Sequence, residues 1–346
     1  MDKARPDASV AKVAILGSGS WGTTFGKVLA EGGSDALLWA RRPELANEIS
    51  QARRNTQYLP GITLPESLGA SSDIDEVLEG AEQVYLSVPS QQLRGLLESV
   101  ADRIPADVPV ISLMKGVESS TMMRMSQVIE EAAGIDPARV AAASGPNLAL
   151  EIAREEPTAI VVASRAEDTA LAVARIARTD YFTTFINTDI VGTEYGGVLK
   201  NLVALAIGIV DGVGFGENTK ASILTRGLAE VTDFAVAYGA ERATMQGLAG
   251  LGDLIATCNS PLSRNFTAGR LVGMGYSKDD VVSRMQQTAE GLASVEPVWQ
   301  LAKQGDVMMP ILKQVRRVLH GRMAPADIAP HLTSKDDEPQ GETFEF

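Results

Sequence analysis

The chain has 346 residues, of which 45% are hydrophobic and 22% are charged, as is ordinary for a globular enzyme with two domains. The formal net charge of −13 argues against nucleic acid as a partner, because no basic surplus exists to neutralise phosphates. A single cysteine, Cys258, excludes an internal disulfide and a cysteine zinc cluster, and the two histidines exclude a histidine-rich metal site, so we expect no metal.

The chain begins with a charged segment, residues 1–10, which lacks the apolar core of a signal peptide and is expected to be a flexible extension. Residues 11–16 then predict a buried parallel strand, followed by the spacing G-x-G-x-x-G where a helix begins. In this spacing Gly17 permits a tight turn, Gly19 lets the backbone approach a pyrophosphate, and Gly22 lets the helix pack closely on the strand. The context predicts a dinucleotide site. The alternatives are a glycine-rich turn without a ligand and a methyltransferase-like fold that binds an adenosyl cofactor.

The second predicted strand, residues 35–40, indicates which dinucleotide is preferred. NAD-binding folds place an acidic residue at the end of this strand to bond the ribose 2′-hydroxyl. Here the strand leads into Arg41 and Arg42, whose guanidinium groups suit a 2′-phosphate. We therefore expect NADP(H) to be preferred, with NAD(H) as a second cofactor. The alternative is that both arginines are merely solvated residues before the helix that starts at Pro43.

Strands and helices alternate as far as about residue 190. Further strands are predicted at 68–71, 83–88, 108–113, 139–144, 158–163 and 182–186, and helices at 21–31, 43–54, 73–79, 91–103, 121–133 and 167–178. This alternation predicts an α/β fold with an N-terminal Rossmann-type doubly wound sheet, over residues 11–190. Ligands bind at the carboxyl ends of such strands, so the segments 17–22, 41–42, 89–90, 115–116 and 145–147 should line one crevice.

From Gly192 onward the pattern is helical, which predicts a C-terminal all-helical domain over residues 191–332. Its helices are predicted at 192–210, 219–238, 245–257, 264–272, 278–285, 294–302 and 311–319. The longest apolar stretch, residues 202–210, is too short to cross a bilayer, so we expect no membrane span and a cytoplasmic location. Residues 333–346 are acidic and poor in apolar side chains, and are expected to form a disordered tail.

Lys200 is the candidate catalytic residue. It follows three glycines, Gly192, Gly196 and Gly197, and glycine in a helix is costly and often found where a backbone approaches a ligand. Its apolar neighbours should desolvate the ammonium group, lower its pKa and suit it to proton exchange. The alternative is a surface lysine whose aliphatic stem covers an apolar face.

Two further segments of the helical half carry candidate polar groups. Asp253 follows the glycine-rich run 247–252 and could orient Lys200, accept a substrate hydroxyl or simply cap a helix. Ser263 is a predicted N-cap, which places Arg264 and Asn265 in the first helical turn. Free N–H groups, the helix dipole and a guanidinium together make a phosphate site. Cys258 is expected to be a small buried hydrophobe rather than a reactive thiol.

These motifs together give the chain a specific family resemblance. The motifs are Gly17–Gly22 with Ser20-Trp21, Lys115-Gly116-Val117-Glu118, Ser144-Gly145-Pro146-Asn147, Lys200-Asn201, Gly252-Asp253, Ser263-Arg264-Asn265 and Glu290-Gly291. In this order, over about residues 11–321, they resemble the NAD(P)-dependent glycerol-3-phosphate dehydrogenases of the bacterial type. The resemblance implies reversible reduction of dihydroxyacetone phosphate to sn-glycerol 3-phosphate, a precursor of phospholipids.

The resemblance also implies roles for individual residues, with Lys200 as proton donor in the reduction and acceptor in the reverse reaction. The implied substrate contacts are Lys115, Gly145, Asn147, Lys200, Asp253, Ser263, Arg264 and Asn265. The implied cofactor contacts, together with Gly17, Gly19 and Gly22 of the turn, are Ser20, Trp21, Arg41, Arg42, Tyr58, Lys115, Ala149, Arg264 and Glu290.

Two other functions stay open at this point. A 3-hydroxyacid or 6-phosphogluconate-type dehydrogenase would share both halves and also use a lysine, although residues 263–265 and Asp253 favour a triose phosphate. A non-catalytic NADP(H)-sensing module would have no need of a desolvated lysine beside an anion site. The apolar helical faces allow a homodimer, but burial within one chain explains them equally well.

Overall fold

The structure of the chain, a computed structural model, describes residues 10–285 and 289–333. The expected extension over residues 1–10 and the expected tail over 333–346 therefore lie outside the described residues, except for Val10 and Thr333. The chain divides into two compact units: the first runs to Glu118 and includes Met123–Glu194, and the second comprises Ser119–Met122 and the chain from Tyr195. Each unit is described by itself.

The first unit is built on one eight-stranded sheet with the order β3-β2-β1-β4-β5-β6-β7-β8. The strands are β1 (Lys12–Leu16), β2 (Asp35–Trp39), β3 (Leu68–Ser71), β4 (Gln83–Leu86), β5 (Val110–Ser112), β6 (Val140–Ser144), β7 (Thr158–Ser164) and β8 (Phe182–Asn187). Strands β1 to β6 are parallel to one another, β7 is antiparallel to β6, and β8 is parallel to β7.

Helices cover both faces of this sheet. They are α1 (Ser20–Glu31), α2 (Pro43–Ala52), α3 (Ile74–Leu78), α4 (Leu93–Val100), α5 (Met125–Ala133), α6 (Ala149–Ala153) and α7 (Glu167–Ile176). Successive residues of a strand point to opposite faces, so Ile15 joins Phe25 in one apolar core and Leu16 joins Leu97 in the other. The expected Rossmann-type doubly wound sheet is confirmed.

The second unit is helical, as the sequence predicted. Its helices are α8 (Ile190–Val213), α9 (Glu217–Ala237), α10 (Arg242–Gln246), α11 (Asp253–Asn259), α12 (Arg264–Gly273), α13 (Lys278–Arg284), α14 (Glu290–Gln304), α15 (Pro310–Leu319) and α16 (Ile328–Thr333). The division between the units falls within α8, after Glu194.

Helix α8 is longer and more continuously apolar than the sequence analysis expected. By length and composition alone it could cross a membrane, but 83% of its 18-residue apolar stretch is buried inside the protein. Such burial is typical of the central helix of a folded domain.

Two predicted helices differ in the structure. The helix expected over residues 121–133 begins only at Met125, because Val117 and Arg124 form a β-bridge and the Glu118 N–H donates to the Met123 carbonyl over 2.9 Å. The helix expected over 245–257 is interrupted by the wider, π-type turn Leu248–Gly252, between α10 and α11. Helix α6 and the antiparallel pairing of β7 were not predicted.

Helices α8 and α12 approach each other at backbone distance. A Cβ atom added to Gly208 would lie 2.2 Å from the Phe266 carbonyl oxygen, and one added to Gly269 would lie 2.3 Å from the Leu205 carbonyl oxygen. Glycine is therefore required on both helices, and the two axes can pack more closely than larger side chains permit.

Glu230 of α9 has a buried carboxyl group that contacts the first turn of α15. It accepts hydrogen bonds from the N–H groups of Ile311 (2.8 Å) and Leu312 (3.0 Å). Burial raises the pKa of Glu230 from 4.5 to about 7, and the two N–H groups and Arg226 oppose this shift. Between pH 4.5 and about pH 7, Glu230 therefore keeps a proton in the folded chain but has lost it in the unfolded chain. The stability of the fold consequently falls as pH rises through this window.

We predict that the free energy of unfolding of the wild-type chain falls relative to that of Glu230→Gln between pH 5 and pH 7.5. The expected loss is up to about 3 kcal/mol, since each unit of pKa shift is equivalent to ~1.4 kcal/mol. Glutamine cannot ionise, so it removes this pH dependence while it keeps one acceptor. Urea unfolding of both proteins at the two pH values measures the difference. Parallel pH dependence of wild type and variant would show that Glu230 has an ordinary pKa.

Candidate active site

In the glycine-rich turn after β1, two glycines are tightly packed against neighbouring backbone and the third has free space beside it. Gly17 has a φ of +126°, and a Cβ atom there would lie 2.1 Å from the Ser87 carbonyl oxygen. A Cβ atom on Gly22 would lie 2.1 Å from the Gly17 carbonyl oxygen, whereas one on Gly19 would meet nothing within 4 Å. Gly17 and Gly22 thus serve the turn itself, and Gly19 leaves space for a ligand, as a pyrophosphate requires.

Polar groups at the start of α1 fit the same interpretation. Gly19 is the N-cap, so no side chain caps the first turn. The Ser20 hydroxyl donates to the Tyr58 carbonyl over 2.6 Å, which brings these two predicted cofactor residues together. The Trp21 indole N–H is buried and has no hydrogen-bond partner among the described residues. A buried donor without a partner is costly, and a bound ligand would satisfy it.

Lys115 connects the ends of two neighbouring strands. It follows β5, and its Nζ donates to the Gly145 carbonyl over 3.1 Å and to the Asn147 side-chain oxygen, both of which follow β6. Ala149 opens α6, and its carbonyl accepts a hydrogen bond from Thr24 of α1 over 3.3 Å. These predicted site residues therefore meet at the carboxyl edge of the parallel strands, near the glycine-rich turn.

Arg41 and Arg42 follow β2 at the same edge of the sheet. Both side chains are exposed, and Arg42 lies directly before α2. The Arg42 guanidinium donates to the Gln57 side-chain oxygen. This places a cationic pair where the ribose of a dinucleotide lies in folds of this kind.

Lys200 of α8 is only 6% exposed, and its ammonium group is held by two acceptors. It donates to the Asp253 carboxylate and to the Thr257 hydroxyl, the latter over 2.6 Å. Asp253 is 1% exposed and is the first residue of α11, whose N-cap is Gly252. Asp253 therefore orients Lys200, and the capping role considered for it is wrong.

Thr257 is a candidate site residue that sequence reasoning missed. It lies four residues after Asp253 on α11, so both side chains share one helix face and both reach Lys200. The spacing Asp253-x-x-x-Thr257 is the signal that could have identified it.

The start of α12 is built as expected. The Ser263 hydroxyl accepts the Phe266 N–H over 3.2 Å, which confirms Ser263 as the N-cap. The Asn265 amide donates to the Asn201 side-chain oxygen over 2.8 Å, and its own oxygen accepts the Gly291 N–H over 2.9 Å. The first turns of α12 and α14 are therefore tied to α8, one residue beyond Lys200.

Arg264 follows Ser263 in this first turn and lies near Glu290, the first residue of α14. The Arg264 side chain reaches solvent, yet the surrounding chain desolvates the guanidinium enough to lower its pKa, an effect that Glu290 opposes. The predicted substrate contacts are divided by unit: Lys115, Gly145 and Asn147 belong to the first, and Lys200, Asp253, Ser263, Arg264 and Asn265 to the second.

Cys258 follows Thr257 on α11 and is 2% exposed. Burial raises the pKa of its thiol to about 12, and Asp253 adds to the shift while Lys200 opposes it. The thiol therefore stays protonated at neutral pH, as expected for a small buried hydrophobe rather than a nucleophile.

Comparison with known proteins covers both units. The family profile described as NAD-dependent glycerol-3-phosphate dehydrogenase N-terminus matches residues 12–170, and the corresponding C-terminus profile matches residues 189–330. A glycerol-3-phosphate dehydrogenase (NAD(P)+) of Leifsonia xyli subsp. xyli is 63% identical over 328 residues, which are 95% of this chain and 89% of the relative. One of Streptomyces avermitilis is 46% identical over 95% of this chain and 98% of its own length.

A solved structure supports the same relationship. The crystal structure of glycerol-3-phosphate dehydrogenase from Coxiella burnetii superposes with a TM-score of 0.88 at 33% sequence identity. The superposition covers 93% of this chain and 98% of the crystallised one.

We predict that Cys258 reacts with iodoacetamide about a thousandfold more slowly in the native protein than in the urea-unfolded chain at pH 8. A pKa raised from 9.0 to about 12 lowers the thiolate fraction by this factor. Mass spectrometry of the intact protein measures the single added group. Rapid modification of the native protein would contradict both the burial and the raised pKa.

Proposed function

The chain belongs to the NAD-dependent glycerol-3-phosphate dehydrogenase family, and from this premise we propose which residues carry its reaction. The enzyme reduces dihydroxyacetone phosphate to sn-glycerol 3-phosphate with NAD(P)H, and the hydroxyacid-type dehydrogenase and the non-catalytic sensor are not favoured. The observation that carries our assignment is the contact of buried Lys200 with Asp253 and Thr257.

Lys200 is the proposed acid–base residue. Reduction of a ketone needs a proton donor beside the carbonyl oxygen and a positive charge for the developing alkoxide, and an ammonium group meets both needs. Asp253 and Thr257 hold the Lys200 Nζ from one helix face, so the donor has a fixed position and little rotational freedom. When bound, the nicotinamide supplies the hydride. In the reverse direction Lys200 accepts the hydroxyl proton.

The start of α12 is the proposed site for the phosphate of the substrate. Ser263, Arg264 and Asn265 combine helix N–H groups, the helix dipole and a guanidinium. The Asn265 side chain already bonds Asn201 and Gly291, so Asn265 would contribute its backbone N–H. The family resemblance also implies substrate contacts for Lys115, Gly145 and Asn147 of the first unit. Phosphate binding away from the reacting carbon helps to orient the carbonyl.

The proposed cofactor contacts begin at the glycine-rich turn. Its open Gly19 and the unpartnered Trp21 indole support binding of the pyrophosphate there. The cationic pair Arg41 and Arg42 supports a preference for NADPH over NADH, because a 2′-phosphate adds two negative oxygens. The remaining proposed contacts are Gly17, Ser20, Gly22, Tyr58, Lys115, Ala149, Arg264 and Glu290.

A homodimer and a cytoplasmic location belong to this proposal as well. The support is the position of β8 at the edge of the sheet, where Phe185 is 54% exposed, because the edge of a sheet can pair with a second copy. Analytical ultracentrifugation of the full chain tests the dimer, and fractionation of cells that express it tests the location.

We predict that Lys200→Ala lowers kcat by about a thousandfold, in the range for loss of a general acid. NADPH affinity should change by less than about threefold, because Lys200 is not a proposed cofactor contact. Initial rates and NADPH fluorescence titration separate the two effects. Lys313→Ala, at an exposed lysine of α15, is the control. A near wild-type kcat would refute the assignment of Lys200.

We predict that Arg264→Ala raises KM for dihydroxyacetone phosphate by about 10- to 100-fold, as expected for a charge-assisted contact worth ~1.5–3 kcal/mol. Its effect on kcat should be smaller, with some loss of NADPH affinity. Arg270→Ala is a matched control, because Arg270 lies on the same helix and pairs with Asp211. Equal effects of both variants on KM would place the phosphate elsewhere.

We predict that the double variant Arg41→Ala/Arg42→Ala raises KM for NADPH by about 10-fold or more and changes KM for NADH by less than about twofold. Only NADPH carries the 2′-phosphate that these arginines would contact. Initial rates with each cofactor at saturating dihydroxyacetone phosphate measure the two constants. A similar increase for both cofactors would contradict the role.

A further inference from the structure

A short loop of the first unit, residues 55–59, lies between α2 and β3. It contacts both parts of the proposed cofactor site, the glycine-rich turn after β1 and the arginine pair after β2. The loop is closed on itself, because Asn55 and Leu59 form a β-bridge and the Leu59 N–H donates to the Asn55 carbonyl over 2.8 Å. Glu48 of α2 accepts both the N–H and the hydroxyl of Thr56, which lowers the pKa of Glu48 and fixes the loop to that helix.

Asn55 is the centre of this arrangement and is completely buried. Its amide donates to the Ser18 carbonyl over 2.9 Å and to the Thr23 hydroxyl over 2.8 Å. Its side-chain oxygen accepts the Tyr58 N–H over 3.2 Å. One side chain therefore joins the loop to both the glycine-rich turn and the first turns of α1.

The bond to Ser18 fixes a peptide group that matters for ligand binding. Thr23 also donates to the Ser18 carbonyl, over 3.2 Å, so two donors hold this oxygen. In a trans peptide the carbonyl and the following N–H point in opposite directions. The Gly19 N–H is consequently directed away from Asn55, and Gly19 is the residue of the turn that has open space around it.

The same loop contacts the cationic pair after β2. The Gln57 side-chain oxygen accepts a hydrogen bond from the Arg42 guanidinium. A neutral acceptor restricts the rotamers of Arg42 without neutralising its charge, so the remaining N–H groups can still bind an anion.

We propose that the 55–59 loop positions the groups that bind the cofactor, with Asn55 holding the Ser18–Gly19 peptide for the pyrophosphate and Gln57 aiming Arg42 at the 2′-phosphate. Asn55 and Gln57 are positioning residues, since each acts through another group. The inference rests on the proposed role of Arg42 and of the glycine-rich turn. It assigns the choice between NADPH and NADH in part to Gln57, and affinity for both cofactors to Asn55.

The test measures dissociation constants of NADPH and NADH separately, by fluorescence titration of the full chain. Gln57→Ala should weaken NADPH binding by about fivefold, the equivalent of ~1 kcal/mol, and leave NADH binding unchanged. In an Arg42→Ala background the same substitution should have no further effect. Gln51→Ala, at an exposed glutamine of α2, is the matched control.

Asn55→Asp keeps the shape of the side chain but replaces the donor to the Ser18 carbonyl by a repelling oxygen. It should weaken NADPH and NADH binding by the same factor, about 10-fold, and leave their ratio unchanged. If this variant does not fold, as judged by circular dichroism, Thr23→Val removes one partner of Asn55 with little change of volume. That variant should weaken both cofactors equally, by a smaller factor.

The outcomes separate this inference from the proposed function. If Arg42→Ala leaves the NADPH preference unchanged, the proposed role of Arg42 fails and the role of Gln57 fails with it. Two results would overturn only the role of Gln57. In the first, Arg42→Ala reduces the NADPH preference but Gln57→Ala does not. In the second, Gln57→Ala weakens NADPH binding as much in the Arg42→Ala background as in the wild-type chain. Unchanged binding of both cofactors in Asn55→Asp or Thr23→Val would overturn the role of Asn55.

Discussion

The second unit depends on the close approach of α8 to the backbones packed against it. A Cβ atom on Gly196 would lie 2.3 Å from the Ala249 carbonyl oxygen, and Gly208 and Gly269 leave equally little room where α8 meets α12. Lys200 lies between Gly196 and Gly208 along α8 and is brought within reach of α11. The glycines thus serve helix packing. The sequence analysis had connected Gly196 with a ligand, and the structure assigns it to contact with the chain itself.

The buried ion pair of Lys200 and Asp253 follows from this packing and has a cost. Two charges removed from water are stabilising only if their remaining hydrogen bonds are satisfied. Thr257 satisfies part of this need. An apolar pair of similar size would serve the core as well or better, so the charged pair is best understood through the reaction that it is proposed to serve. The close helix packing holds both charges in one geometry.

Features encoded by neighbouring residues were predictable from the sequence, whereas most features that depend on distant residues were not. The glycine-rich turn and the Ser263 cap are local patterns, and both were predicted. The predicted start of α5 was wrong because Val117 and Arg124 form a β-bridge before the helix, and the neighbouring Glu118 is also paired with Arg94, 24 residues away. Asn55 was missed for a similar reason: its partner Ser18 is 37 residues away. Two long-range contacts were anticipated: that of Lys115 with the segment after β6, and that of Lys200 with Asp253 of α11.

The protected position of Cys258 on α11 has a practical consequence. Since this is the single cysteine of the chain and its thiol is buried with a raised pKa, we expect the natural protein to react only slowly with maleimide dyes. A cysteine introduced on the surface could carry a fluorophore or a spin label at one chosen position. No prior substitution beside Lys200 would be needed, so such spectroscopic probes could be used on an enzyme whose catalytic surroundings are intact.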